Sequence, residues 1–90
     1  MTLTAIRALF KSGQVVTVTN HYINRPEHPC YGTQRRTIAR VSSSHLTFTE
    51  SGCVAWPKAS QVKADGRTVQ LFGGGIGQAP TDLFLTIELR

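Results

Sequence analysis

Leu83-Phe84-Leu85-Thr86-Ile87-Glu88-Leu89 is the stretch on which the fold turns. Successive residues of an extended chain point to opposite faces, so Leu83, Leu85, Ile87 and Leu89 line one side, and Phe84, Thr86 and Glu88 the other. An apolar face backed by a largely polar one describes a strand packed on a core from one side, as in antiparallel sheets. The stretch Gln14-Val15-Val16-Thr17-Val18-Thr19-Asn20 is rich in the β-branched residues that suit a pleated surface and gives a second strand. Residues 35 to 41 (Arg-Arg-Thr-Ile-Ala-Arg-Val) and 45 to 50 (His-Leu-Thr-Phe-Thr-Glu) add two more. In the latter, Leu46 and Phe48 share the apolar face, with Ser44 and Glu50 at its ends.

Between and around these runs, turn chemistry sets the punctuation. Ser51-Gly52 turns the chain into Cys53-Val54-Ala55-Trp56, and Pro57 stops regular pairing because it has no N–H to donate. Residues 57 to 60 suit a single helical turn. Asp65-Gly66 is a hairpin signal ahead of a strand from Arg67 to Phe72, and Gly73, Gly74, Gly75 and Gly77 make a bend before Pro80 and the closing strand. At the other end, Leu3, Ile6, Leu9 and Phe10 recur at helical spacing. Thr2 or Thr4 is placed to cap that helix and Ser12-Gly13 to end it.

Ninety residues, 40% hydrophobic and 17% charged, support one small core and exclude a multidomain enzyme. The expectation is a single domain over residues 1–90, with homodimerisation as one way for so small a core to gain buried surface. No apolar run approaches the roughly 20 residues of a membrane-spanning helix, so no membrane contact is expected. The opening residues lack the pattern of a secretory signal, which makes cytoplasmic residence the expectation and keeps Cys30 and Cys53 reduced.

The formal net charge of +5 is carried by one half of the chain. Residues 1 to 49 hold six cations (Arg7, Lys11, Arg25, Arg35, Arg36 and Arg40) against Glu27 alone, whereas residues 50 to 90 balance four against four. Arginine dominates, and its planar fork suits phosphate and carboxylate oxygens, so an anionic partner is expected. Strict alternation from Arg35 would put Arg36, Ile38 and Arg40 on one side, two arginines flanking an isoleucine. The run His21 to Gly32, with Pro26 and Pro29, reads as a long exposed loop of the kind that often carries function. It brings His21, Tyr22 and Tyr31 near the arginines, and the combination of cations with aromatic faces is how small β-folds hold single-stranded DNA or RNA. The alternative is a protein-docking surface on the His21 to Tyr31 loop, with Trp56 packed in the core beside Val54 and Leu46.

Other chemistry fares worse. Gly73-Gly74-Gly75-Ile76-Gly77-Gln78 leads to a strand, whereas phosphate loops open a helix, so it reads as a bend. His21, His28, His45, Cys30 and Cys53 are zinc-type donors by kind, but they lack the close pairs of structural zinc sites, and neither metal nor cofactor is expected. Nucleophilic or paired-carboxylate catalysis finds no supporting spacing, so the chain is read as non-enzymatic.

Four segments, Val18-Thr19-Asn20-His21-Tyr22, His28-Pro29-Cys30-Tyr31-Gly32-Thr33, Trp56-Pro57-Lys58-Ala59-Ser60-Gln61-Val62 and Gly73-Gly74-Gly75-Ile76-Gly77-Gln78, resemble small uncharacterised proteins of actinobacteria and their phages. That resemblance implies a stand-alone, phage-encoded accessory protein that binds a host macromolecule, and it brings no catalytic residue or cofactor. The expected architecture is mainly β, resembling SH3-like small antiparallel barrels or rolls, with five to six strands and the short N-terminal helix over one end of the core. The expected binding residues are Arg25, Arg35, Arg36, Arg40, His21, Tyr22 and Tyr31. Their partner is DNA or RNA, or alternatively a host protein held by the His21 to Tyr31 loop.

Overall fold

The alternation of valine and threonine in residues 15 to 20 does what its period demands. Val16 and Val18 are buried, Thr17 and Thr19 face the other way, and this strand, β1 (Val15–Asn20), sits at the centre of the sheet. The computed structural model describes residues 2–29, 31–50 and 52–89. Six further strands follow, β2 (Gly32–Val41), β3 (His45–Phe48), β4 (Cys53–Ala55), β5 (Val62–Asp65), β6 (Thr68–Phe72) and β7 (Leu83–Leu89). They form one antiparallel sheet in the order β4-β3-β2-β1-β7-β6-β5. The mainly β expectation holds, but there are seven strands in place of five or six, and the sheet is not a closed barrel. The additional strand is β5, which the Asp65-Gly66 turn requires as its first arm. Gly66 alone has positive φ at the two-residue loop between Asp65 and Thr68, the pattern of a type II′ hairpin. The sheet stays open at its two outermost strands, β4 and β5, three and four residues long, between which no ladder forms among the described residues. They are joined by Trp56, Pro57 and a 3-10 turn (Ala59–Gln61) in place of ladder hydrogen bonds.

The helix α1 (Leu3–Arg7) is shorter than its apolar spacing suggested. Thr2 is the cap, its Oγ1 accepting from Ala5 N at 3.1 Å, and tighter turns then carry the chain to Phe10. Ile6 and Phe10 are buried, Leu3 and Leu9 partly so, and the Phe10 ring meets Trp56 at 5.6 Å. Trp56 is half-buried and donates its indole N–H to Ser42 O at 3.1 Å, which gives its polar edge a partner inside the fold. The core consists of Ile6 and Phe10 with the inward residues of the strands, Val16, Val18, Ile38, Leu46, Phe48, Val62, Val69, Leu71, Leu85 and Ile87. No described polar or charged residue is buried.

Two β-bulges break the period of two, and each re-aims a side chain, as bulges do. In β2 the register passes from Ile38↔Phe48 to Arg40↔Thr47, which leaves Ala39 as the extra residue. Ile38 therefore faces the core while Arg40 lies with Thr47 on the outer face. Arg36 and Arg40 do not flank Ile38 on one side as alternation alone would have them. In β7 the register passes from Leu71↔Leu85 to Phe72↔Leu83, so Phe84 is the extra residue. Leu83 leaves the apolar row of Leu85, Ile87 and Leu89, and the Phe84 ring packs against the core in its stead.

Glu50 closes the β3–β4 turn onto β2. Its carboxylate accepts from the Thr37 backbone N–H at 2.8 and 3.1 Å, and Thr49 N donates to Thr37 O at 2.9 Å. The Thr37 N–H bond is the main reason its carboxyl falls from the ordinary 4.5 to about 2. A carboxyl whose pKa is lowered by folding stabilises the fold above its unfolded value, and that stabilisation is lost as pH falls from 4.5 towards 2. The midpoint of urea unfolding is expected to drop over this window. Glu50→Gln should flatten the profile there, and an unchanged profile in that variant would remove the carboxylate from the account.

Candidate functional site

The connection between β1 and β2 ends one residue sooner than the sequence suggested. β2 begins at Gly32 rather than at the expected Arg35, because Thr33 and Gln34 pair with Thr19 and Val18, so the loop covers residues 21 to 31. Asn20 organises its start: Oδ1 accepts from both Tyr22 N and Ile23 N at 2.9 Å, an Asx turn that forces the chain out of the sheet. His28 N donates to Arg25 O at 3.0 Å and closes a second turn. The loop's far side is tied to β2, where Gln34 and Arg36 both donate to Pro29 O and Arg36 also donates to Gln34.

The glycine-rich segment packs against this loop. Tyr22 donates its hydroxyl to Ile76 O at 3.0 Å and meets Phe84 edge-on at 6.0 Å. Gly75 lies against the Tyr22 ring and Gly74 against the Phe84 ring so closely that a Cβ would fall 2.2 and 2.4 Å from ring carbons. These two glycines permit contact with aromatic rings and not merely a bend. The Gln78 side chain holds the loop shape, accepting from Gly75 N at 2.9 Å and donating to Leu83 O at 3.2 Å.

Between the two loops runs an open groove of about 630 Å³. Tyr22, Ile23, Ile76 and Phe84 supply its apolar surface, and Arg25, His28, Asn20 and Asn24 line it with polar groups. No acidic side chain lines it. Ile76 is 92% exposed, the most exposed of the large apolar residues described, and it stands on a loop whose backbone is fixed by Tyr22 and Gln78.

The structure brings only some of the expected residues together. Tyr22 and Arg25 meet in the groove. His21 points its ring to the outer face of the sheet, where Nε2 lies 2.8 Å from Thr86 Oγ1. Tyr31 is exposed but lies outside the groove. Arg35 is exposed on the outer face, where Glu88 is aligned with it across Thr17. Arg36 pairs with Val16 on the inner side and is held by the loop, and Arg40 lies beyond the bulge. The arginines expected to act as one basic strip are thus divided among the loop and both faces of the sheet. Cys53 has a free, exposed thiol, and Cys30 lies outside the described residues. Among the described residues no three His, Cys, Asp or Glu side chains are grouped as a metal site, and no helix is long and apolar enough to cross a membrane.

Ile76, Phe84 and the two packed glycines are the groove residues that sequence reasoning missed. A single isoleucine among four glycines was the available signal, since nothing in a simple bend calls for a large apolar side chain. Comparisons with protein-family models, with curated proteins and with solved structures returned no match.

Proposed function

We propose that the chain is a non-enzymatic, cytoplasmic accessory module that binds a protein partner in the groove between the 21–31 loop and the glycine-rich loop. The observation that carries this reading is Ile76, an almost fully exposed isoleucine whose backbone is tied to Tyr22 and which lines one groove with the Tyr22 and Phe84 rings and Arg25. Burying one such side chain is worth roughly 1.5–3 kcal/mol, which makes it an anchor for a partner's apolar side chain. Arg25 then selects an acidic neighbour by charge-assisted hydrogen bonds. The partner segment is therefore a short extended stretch with apolar and acidic residues adjacent.

A second reading, nucleic-acid binding, keeps the support of three exposed arginines (Arg25, Arg35 and Arg40) and the exposed Tyr31 ring. One experiment separates the two. Labelled decapeptides alternating leucine with glutamate, the same peptides with lysine for glutamate, and mixed-sequence single-stranded DNA and RNA are titrated by anisotropy over a salt series. The docking reading expects the acidic peptide to bind and the lysine peptide not to. Ile76→Asp should abolish that binding, and Arg25→Ala should weaken it about fivefold, the size of one exposed charged contact. Binding of nucleic acid alone, falling steeply with salt, would overturn docking in favour of phosphate contacts by the arginines.

A further inference from the structure

Arg40 is the outward-facing arginine that the β2 bulge creates, and it does not lie on a bare surface. It opens onto a separate depression of about 420 Å³, walled by the turn Ser42, Ser43 and Ser44, by His45, and by Thr47 and Cys53 of β3 and β4. The register explains the assembly, because Arg40, Thr47 and Cys53 form one cross-strand row on the outer face, one residue from each of three adjacent strands.

The turn itself is closed by hydrogen bonds. Ser42 Oγ accepts from His45 N at 3.0 Å and from Ser44 N at 3.3 Å, and Trp56 fixes Ser42 O from behind at 3.1 Å. Ser44 Oγ lies 2.9 Å from His45 Nδ1, which holds the hydroxyl and the exposed imidazole side by side. Ser43 is exposed at the tip. The Arg40 guanidinium makes no hydrogen bond or ion pair among the described residues, and no acidic side chain lines the depression. Glu50, the acid nearest in sequence, is committed to Thr37 N.

A cation, hydroxyl groups and an imidazole around a concave site free of carboxylates match one ligand chemistry, a tetrahedral oxyanion. The arginine fork takes two of its oxygens and the hydroxyls donate to the others. We propose that this depression binds a phosphate monoester, with Arg40 as the principal contact and the Ser43 hydroxyl and one member of the Ser44–His45 pair as secondary donors, since the hydrogen bond between those two uses the donor of the other. The volume exceeds what a bare phosphate needs, so the organic substituent also finds room. This site is distinct from the groove and does not depend on the docking reading.

The test is an NMR titration of the ¹⁵N-labelled full chain with inorganic phosphate and with O-phospho-L-serine, against sodium chloride at matched ionic strength. Saturable shifts concentrated at Arg40, Ser43, Ser44, His45 and Thr47, absent with chloride, are expected, with phosphoserine the tighter ligand. Arg40→Gln should weaken binding at least fivefold. Arg35→Gln, also exposed on the same strand but outside the depression, should leave it unchanged. Equal response to chloride, equal loss in both variants, or full binding by Arg40→Gln would each overturn the site. Binding of phosphate with no gain from phosphoserine would overturn the monoester assignment.

Discussion

Ile87→Ala is expected to destabilise the protein by about 3 kcal/mol, the central cost of removing a buried isoleucine to the β-carbon. Ile87 is fully buried and pairs with Val18 of β1 on one side and Val69 of β6 on the other, both buried, so it stands where two ladders of the sheet meet. At 4–8 °C per kcal/mol for a domain of this size, the melting temperature should fall on the order of 15 °C. Ile87→Val should cost about 1 kcal/mol, since it removes one methyl group from the same site. Leu83→Ala is the informative contrast. Simple alternation puts Leu83 on the same face as Ile87, but the Phe84 bulge turns it out to pair with Phe72. Its truncation should cost less than about 1 kcal/mol, as for a partly exposed position. Equal losses for Ile87→Ala and Leu83→Ala, measured by thermal and urea unfolding, would contradict the bulge.

Gly75→Ala should destabilise by about 2 kcal/mol, within the range for forcing an extra carbon into a packed site. The added Cβ would fall 2.2 Å from Tyr22 Cδ1, and the ring is restrained by its hydroxyl bond to Ile76 O and by its contact with Phe84. Tyr22 must therefore swing away, which breaks the bond to Ile76 and unmakes the groove wall. The NMR signals of Tyr22, Ile76 and Phe84 should all move, and binding of the acidic decapeptide should fall at least tenfold. Gly77→Ala provides the control from the same loop. Gly77 has φ +81° with open space around its Cβ position, so the substitution strains the backbone by about 1 kcal/mol and leaves Tyr22 in place. If Gly75→Ala leaves the Tyr22 signals unmoved, the close packing of the two loops is wrong.

The contrast between these positions shows where the sequence is legible. Val16 and Val18 of β1, Leu46 and Phe48 of β3, and Leu85 and Ile87 of β7 are buried as a period of two requires. The helix stripe places Ile6 and Phe10 in the core, and Asp65-Gly66 marks a hairpin. Each is a local pattern, written within a few residues and enforced by the same burial in any context. The candidate sites were legible only in part. Tyr22 and Arg25 are legible from their place in one proline-containing loop, whereas Ile76 and Phe84 join them only because two loops far apart in sequence pack on each other.

What the sequence determined by itself is therefore the class of structure, a short capped helix followed by strands with one apolar face, because hydrophobic periodicity and turn chemistry are properties of neighbouring residues. What the tertiary structure decided is which face two residues serve. A bulge inserts a single residue without any mark in the local pattern, and its position depends on how the partner strand pairs. At Ala39 it sends Arg40 outward to the serine turn, and at Phe84 it brings an aromatic ring inward to the groove. Both candidate sites rest on those two insertions, and pairing between distant strands fixed each of them.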